Sequence, residues 1–462
     1  MTAEGMEARS TALREPPSEG FAPVRMDDVE IAAPLPSLPS KGPESETTFA
    51  ASMCLVRLHG KPVGMIDAEL PAEGLSPTDL AKRIQAELGR EIERHLRDDG
   101  MEPQAFDADG IAGNTTPPCE ASRLAFLERA PRASVVICTR DRPDSVRTTL
   151  RSILSCRYPA ARYEVIVVDN AAEGDLIVDL VEAEFQGEVA VRVAREPEPG
   201  LSHARNRGLA VATGEVIVFA DDDVLVDRDW LATLVAAFEQ GERVGASSGL
   251  TLPDVLETPT QRWVEGFGGR IRGFHSRVFD IKNPPTDRPL FPFTVGDLGA
   301  GRNMAFDREA LQELGGFDRA LGPGTLAYDG DDVEALLRVL LSGRQVIHDP
   351  AAIVWHAHPR EYRELEDRVW GYGIGLSACL TKAVLDHPRL IPDLVRKLPR
   401  GIAFALSSES PKNVGRQEDF PRALIRRELR GMAYGPIAYA RSRVHQRGRR
   451  RKARNRSAGR PT

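Results

Sequence analysis

From Ala133 onward, short apolar runs alternate with longer segments whose apolar residues recur every three or four positions. Ser134–Thr139, Tyr163–Val168, Ala190–Val193 and Glu215–Ala220 are the runs, and Ser145–Leu154, Leu176–Phe185 and Leu201–Ala212 between them carry helical spacing. This alternation predicts an α/β domain, a mostly parallel central sheet flanked by helices, with ligands at the carboxyl ends of the strands. Upstream, Cys54–Leu70 reads as two strands about a His59-Gly60-Lys61-Pro62 turn. Ser76-Pro77 then supplies an N-cap and a first-turn proline for a helix with Leu80, Ile84, Leu88, Ile92 and Leu96 on one face. So small a ββα unit is expected to pack on the main body rather than stand alone.

The chain has 462 residues, more than one core usually organises. Its pattern divides it into a disordered, proline-rich start (1–50), the ββα unit (51–100), a linker (101–130), the main α/β domain (131–360), a helical extension (361–420) and an aromatic and basic tail, partly disordered (421–462). Hydrophobic residues at 41% and charged residues at 28% exclude a disordered polymer and a polytopic membrane protein. The net charge of −7 hides opposed blocks: residues 1–50 sum to −5, residues 421–462 to +13, and the body between them to −15. Nucleic acid is therefore not expected as a partner of the body. The five cysteines show no CxxC pair, so neither a disulfide framework nor a structural zinc site is expected. With no secretory signal and no long uncharged apolar run, the expected location is the cytoplasm, with peripheral attachment at the inner face of the membrane as an option.

Polar signatures stand at four strand ends: Thr139-Arg140-Asp141-Arg142, Asp169-Asn170, Glu196-Pro-Glu-Pro-Gly200 and Asp221-Asp222-Asp223. Strand alternation points Asp221 and Asp223 to a similar side, where two hard oxygen ligands would suit a divalent cation. An acidic turn ahead of the next helix is the other reading of the triplet. Gly200 frees the backbone before a helix whose N-terminus favours an anion, and Arg205 is placed to reach a phosphate, although Arg205 and Asn206 also fit an ordinary helix surface.

Taken in order, Thr139–Arg142, Val167-Val168-Asp169-Asn170, Gly200–Gly208 and the Asp221–Asp223 triplet resemble the nucleotide-sugar half of family 2 glycosyltransferases of GT-A fold, over about residues 133–360. The resemblance implies that Thr139, Arg142 and Asp169 hold base and ribose, and that Gly200, Arg205 and Asn206 flank the diphosphate. It also gives Asp221 and Asp222 a donor-side role, with Asp221 and Asp223 of this DXD-type motif binding Mn²⁺ or Mg²⁺. Gly299–Phe306 is similar to the family's acceptor-side strand, which brings in Gly301 and Asn303. Asp329-Gly-Asp-Asp-Val-Glu334 is similar to its paired-acid motif, with Asp332 as the base on the acceptor hydroxyl and Asp331 on the acceptor side. Asp331 stands where many members have Glu, which leaves its role open, and first-turn acids complementing a helix dipole are the alternative. His356 matches the position of a histidine that completes the metal shell, rather better than His358, though a buried structural histidine fits as well.

These assignments imply an inverting, metal-dependent glycosyltransferase that moves a sugar from a nucleotide-diphosphate donor to an unidentified acceptor hydroxyl on a glycan, glycolipid or natural product. A nucleotide-sugar-binding scaffold without turnover and a sugar nucleotidyltransferase are the alternatives. The Gly371–Gly375 segment suits close helix packing or acceptor contact. The aromatic run Gly431–Tyr439 with its following arginines suits an anionic membrane surface, nonspecific nucleic-acid binding or a solvated terminus.

Overall fold

The computed structural model describes residues 21–42, 47–111, 116–241, 243–266, 273–407, 410, 412–413 and 420–458. Its N-terminal unit has three strands, β1 (Val24–Glu30), β2 (Ala51–Leu58) and β3 (Lys61–Glu69), covered by helix α1 (Pro77–Asp98). β1 runs parallel to β2, and β2 pairs antiparallel with β3. Ser76 caps α1 by accepting from the Asp79 N–H, and Leu80, Ile84, Leu88, Ile92 and Leu96 are all buried. The expectation of disorder across residues 1–50 is corrected for Val24–Glu30, while residues 1–20 lie outside the described ones. The proline-rich segment lacks a core of its own but shares one: Val29, Ile31, Leu35 and Leu38 pack with the residues of β2, β3 and α1. Part of the expected linker is likewise helical, as α2 (Pro118–Arg129), whose buried residue is Phe126, too weak an apolar face to read from spacing.

The main body runs β4 (Ala133–Thr139), α3 (Pro143–Leu154), β5 (Tyr163–Asn170), α4 (Leu176–Glu184), β6 (Ala190–Glu196), α5 (Leu201–Val211), β7 (Val216–Asp221), β8 (Val224–Val226) and α6 (Trp230–Ala236). It continues through β9 (Val244–Pro253), α7 (Pro259–Glu265), β10 (Arg277–Phe279), β11 (Met304–Asp307), α8 (Arg308–Glu313), α9 (Asp331–Leu341) and β12 (Gln345–His356). One sheet results, in the order β10-β12-β9-β11-β7-β4-β5-β6, with β8 also pairing to β12. β6, β5, β4 and β7 are mutually parallel, β11 is inserted antiparallel between β7 and β9, and β9 and β12 are parallel. Because both faces are covered, successive residues of a strand enter different cores. Val135, Ile137, Val165 and Val167 pack with α3, α4 and α6 residues, while Val136, Ile166 and Val168 pack with α5 and α9 residues. That is why these strands read as unbroken apolar runs.

The N-terminal unit docks on this sheet. Leu55 shares a cluster with Leu250, Leu252 and Ile353, and Arg57 bridges Asp28 at 2.6 Å and Asp227 at 2.9 Å.

Three helices follow the sheet: α10 (Tyr362–Asp386), α11 (Ile391–Leu406) and α12 (Arg422–Ala458). The tail expected to be partly disordered is therefore helical through Ala458, and it lies on α10. A Cβ at Gly431 would come within 2.6 Å of the Trp370 carbonyl oxygen, and one at Gly373 would collide with the carbonyl oxygen of Glu428. Small residues on both helices allow backbones to meet, and Tyr434 stacks on Trp370 with ring centroids 6.0 Å apart. The aromatic segment read as a membrane contact is committed to this packing, with Tyr439 3% exposed. Gly373→Val is expected to force α12 away from α10 and destabilise the fold by about 1–3 kcal/mol. A urea titration followed by tryptophan fluorescence checks this, and an unchanged midpoint would count against the contact.

Candidate active site

Parallel register brings the polar strand ends together: Thr139 of β4 is the register partner of Asp169 on β5, and Cys138 is the partner of Asp221 on β7. At the end of β7 the three acids of the triplet diverge. Asp222 turns into the protein, accepting from the Thr139 hydroxyl at 2.6 Å and from Arg142 Nη1 at 2.6 Å, while Arg142 Nη2 also reaches Asp223 at 3.4 Å. Burial pushes the Asp222 carboxyl up to about 6 against the pull of Thr139 and Arg142. Asp223 Oδ1 lies 3.5 Å from Nε2 of His356, whose ring is buried and whose pKa burial lowers far below the usual imidazole range. His356 Nδ1 is 3.4 Å from His358 Nδ1, and His358 in turn meets Glu265 at 2.7 Å. Asp221 faces two arginines instead, Arg205 at 3.7 Å and Arg302 at 3.8 Å. Burial raises its pKa, the arginines lower it, and Asp223 is near enough to raise it again.

Arg205 projects from the first half of α5, 3% exposed, and donates to Asp331 Oδ2 at 2.7 Å. Asp331 also takes the Ser202 hydroxyl at 3.2 Å. At the N-terminus of α9, Asp332 Oδ2 accepts the Gly301 N–H at 2.6 Å. Gly301 has to be glycine there, since a Cβ would run into the Arg205 guanidinium and lie 2.9 Å from Asp332 Oδ2. Asp329, Asp331 and Asp332 bring carboxylate oxygens within 4.8 Å of one another. Burial, followed by the charge of Asp332, pushes Asp329 up to about 7. Asp169 is 2% exposed, and neither of its buried oxygens has a hydrogen-bond partner, so its pKa is raised by burial.

Thr139, Arg142, Asp169, Arg205, Asp221, Asp222, Asp223, Gly301, Asp332 and His356 thus share one end of the sheet. Three expected roles are corrected. Asn206 exchanges two 2.8 Å hydrogen bonds with the backbone of Phe317, anchoring the loop after α8 rather than facing the site. Asn303 is fully buried, donating to the Leu250 and Ala352 carbonyls and accepting from Trp230 Nε1, so it ties strands together instead of lining an acceptor pocket. Asp331, 1% exposed, lies behind the site as the partner of Arg205. Gly200, at φ +133°, sits where its N–H meets the Asn170 side chain at 2.9 Å, so Asn170 shapes the loop before α5. Sequence reading missed Arg302 and Asp329. Arg302 stands between the two acceptor-side residues it did select, and Asp329 opens the acidic run it recognised.

A largely parallel sheet with one inserted reversed strand, carrying acids and arginines at its carboxyl edge, is the GT-A architecture of nucleotide-sugar transferases. Residues 134–314 match the model of Glycosyl transferase family 2. A glucosyl-dolichyl phosphate glucuronosyltransferase of Haloferax volcanii is 27% identical over 235 residues, covering 49% of this chain and 69% of that protein. A pre-mycofactocin glycosyltransferase of Mycobacterium tuberculosis is 25% identical over 342 residues, 73% of this chain and 62% of that one. The chain spans only 53% of a probable glycosyltransferase of Bacillus subtilis that is 26% identical to it. Among solved structures, a mannosyltransferase of Pyrobaculum calidifontis in complex with GDP-Man and Mn²⁺ aligns with a TM-score of 0.44 at 21% identity, covering 71% of this chain and 88% of that one.

The raised pKa of Asp222 carries a stability consequence with a definite sign. An acid whose folded pKa exceeds its unfolded value binds its proton more tightly when folded, so its favourable contribution is complete below about 4 and is lost as pH rises through about 6. Asp222→Asn is expected to flatten the fall in stability across that window. Urea midpoints of both proteins at several pH values test this, and parallel curves would reject it.

Proposed function

We propose that the chain is an inverting, metal-dependent glycosyltransferase using a nucleotide-diphosphate sugar and an acceptor hydroxyl. The observation that carries this reading is the meeting of Asp221, Asp223 and His356 with Arg205, Arg302 and Asp332 at one sheet edge. Asp223 Oδ1 and His356 Nε2 are 3.5 Å apart, near the spacing of roughly 3 Å between neighbouring ligands of an octahedral Mn²⁺ or Mg²⁺. Burial keeps His356 uncharged, the state a ligand needs. A cation held by Asp221, Asp223 and His356 would neutralise charge on the departing diphosphate. The buried, unpartnered Asp169 carboxylate favours a donor that offers N–H or O–H groups, as a nucleobase and ribose do.

Asp332 is the base of the reading. Its Oδ2 is held by the Gly301 N–H at 2.6 Å, which fixes the carboxylate at the N-terminus of α9. Removing the acceptor proton as the hydroxyl attacks the anomeric carbon, while the diphosphate leaves from the opposite face, gives one displacement and inversion. Asp332→Asn is expected to retain nucleotide-sugar binding, read as a thermal shift against a panel of UDP-, GDP- and dTDP-sugars with Mn²⁺, and to lose transfer by a factor of about 10²–10⁴. Unchanged turnover would reject the base, binding without turnover in the parent protein would favour a scaffold, and pyrophosphate release would favour a nucleotidyltransferase.

Peripheral membrane attachment is part of the same proposal, carried by α11. Ile391, Val395, Leu398, Ile402 and Leu406 form a stripe along it, each 46–61% exposed, beside Arg396 and Arg400. A one-sided apolar helix with basic flanks suits an anionic surface. No helix among the described residues is long and apolar enough to cross a membrane. The Haloferax relative is named for glucosyl-dolichyl phosphate, a lipid-linked sugar. Cosedimentation with vesicles containing phosphatidylglycerol is expected, and Val395→Glu with Leu398→Glu should abolish it. Equal binding by parent and variant would remove α11 from the reading.

A further inference from the structure

Four side chains outside the transfer site converge where the N-terminal unit meets α2. His59 lies in the turn between β2 and β3, at φ +57°, His95 is in the last turn of α1, Asp99 is its C-cap, and Cys119 is in the first turn of α2. His95 and Asp99, four residues apart, share one face of the helix end. Six distances connect the four donor atoms. Asp99 Oδ2 is 3.0 Å from His59 Nδ1, 3.4 Å from His95 Nε2 and 2.8 Å from Cys119 Sγ. The two imidazole nitrogens are 3.2 Å apart, and Cys119 Sγ is 3.8 Å from His59 Nδ1 and 3.9 Å from His95 Nε2.

Asp99 Oδ2 can accept from His59, His95 and Cys119, but hydrogen bonds to one oxygen do not also require the two imidazoles and the thiol to close on one another. A common centre does. Bonds of about 2.0–2.3 Å at tetrahedral angles separate donor atoms by roughly 3.3–3.7 Å, the middle of the spread found here. We propose that His59, His95, Asp99 and Cys119 form a structural zinc site that clamps the N-terminal unit to α2.

The ligand chemistry is consistent with that ion. One thiolate and one carboxylate neutralise a 2+ charge, with two neutral imidazoles completing a closed, four-coordinate, sulfur-containing set that suits Zn²⁺ better than the hard cations. His59 and Asp99 are 9% and 8% exposed, so little water competes. The Cys119 backbone N–H donates to Asp99 Oδ1 at 3.2 Å, which orients the carboxylate and leaves Oδ2 for the centre. Binding exchanges the Cys119 thiol proton for a sulfur–metal bond and releases that proton to solvent. Burial and Asp99 push the thiol up to about 12, so a thiolate there requires a cation beside it. Burial lowers His95 to about 4, leaving its ring nitrogen free of a second proton at neutral pH.

The clamp would also hold the catalytic domain. From α2, Arg123 donates to the His59 carbonyl at 2.9 Å and to Asp229, just ahead of α6, at 2.9 Å.

The test is elemental analysis of the full-length protein purified without chelator. About one zinc per chain is expected. Cys119→Ala combined with His95→Ala should lose it, and Asp223→Asn, altered at the donor site alone, should keep it. Should the double variant not fold, Co²⁺ reconstitution of the parent protein decides: intense tetrahedral visible bands with a thiolate-to-metal charge-transfer band are expected. Absence of zinc together with a cobalt spectrum lacking the thiolate band would overturn the site. So would zinc retained by a folded double variant, or zinc lost from Asp223→Asn.

Discussion

Arg205 and Asp331, 2.7 Å apart and nearly inaccessible at 3% and 1%, are the contact on which the arrangement of the site depends. Taking two charges out of water carries an effective penalty of several kcal/mol per ion, offset only when geometry is good and the remaining polar atoms are satisfied. Both conditions hold here. Ser202 supplies Asp331 with a second donor, and the Arg205 guanidinium lies 5.5 Å from the Phe317 ring centre as well as near Asp221. The pair therefore joins α5, α9 and the end of β7 in one piece. Asp332 follows Asp331 directly, so the register that seats the ion pair also sets the reach of the proposed base. Losing one partner would leave a buried charge uncompensated, at a cost of about 3–5 kcal/mol. Asp331 is best understood as the residue that positions Arg205 and Asp332.

The electrostatics around that pair are unbalanced in a useful way. Asp221, Asp223, Asp329 and Asp332 surround two arginines, one of them already neutralised by Asp331. Burial raises the pKa of Asp221 and of Asp329, and Asp329 is raised further by the charge of Asp332. Such an excess of carboxylates is relieved by a divalent cation, by protonation, or by both. Asp329, up at about 7, is where a proton would be held near neutrality.

What could be read from the chain follows from how each feature is encoded. The central strands are buried on two faces, so β4, β5 and β7 announce themselves as apolar runs and their ends identify Thr139, Asp169 and Asp221. Local signals also gave α1, through Ser76-Pro77 and a four-residue apolar repeat. Features built from distant partners were not legible. β1 takes its pairing from β2 and its core from α1, so its proline-rich surroundings concealed it. Asn206 and Asn303 carry the right residue type beside the right motif, and only the fold reveals that Phe317, Trp230, Leu250 and Ala352 use up their amides. The cluster at Cys119 draws on residues 36, 4 and 20 positions apart in succession, a spacing no short motif contains.

The opposed charge blocks of the sequence take on a physical meaning once α12 is followed along its length. Tyr439 donates to Asp318 at 2.9 Å, Gln446 approaches His203 of α5 at 3.4 Å, and Arg449 reaches Glu198 at 2.7 Å, in the loop before Gly200. The described part of the basic tail thus folds back on the acidic body, beside the segment assigned to the diphosphate. It neutralises and braces that loop from outside, as Asn170 does from inside. This bears on the proposed membrane contact. The aromatic residues of the tail are turned inward against α10, whereas the apolar stripe of α11 has no protein covering it among the described residues. Of the two helices, α11 is the one whose apolar stripe stays exposed, as the proposed membrane contact requires.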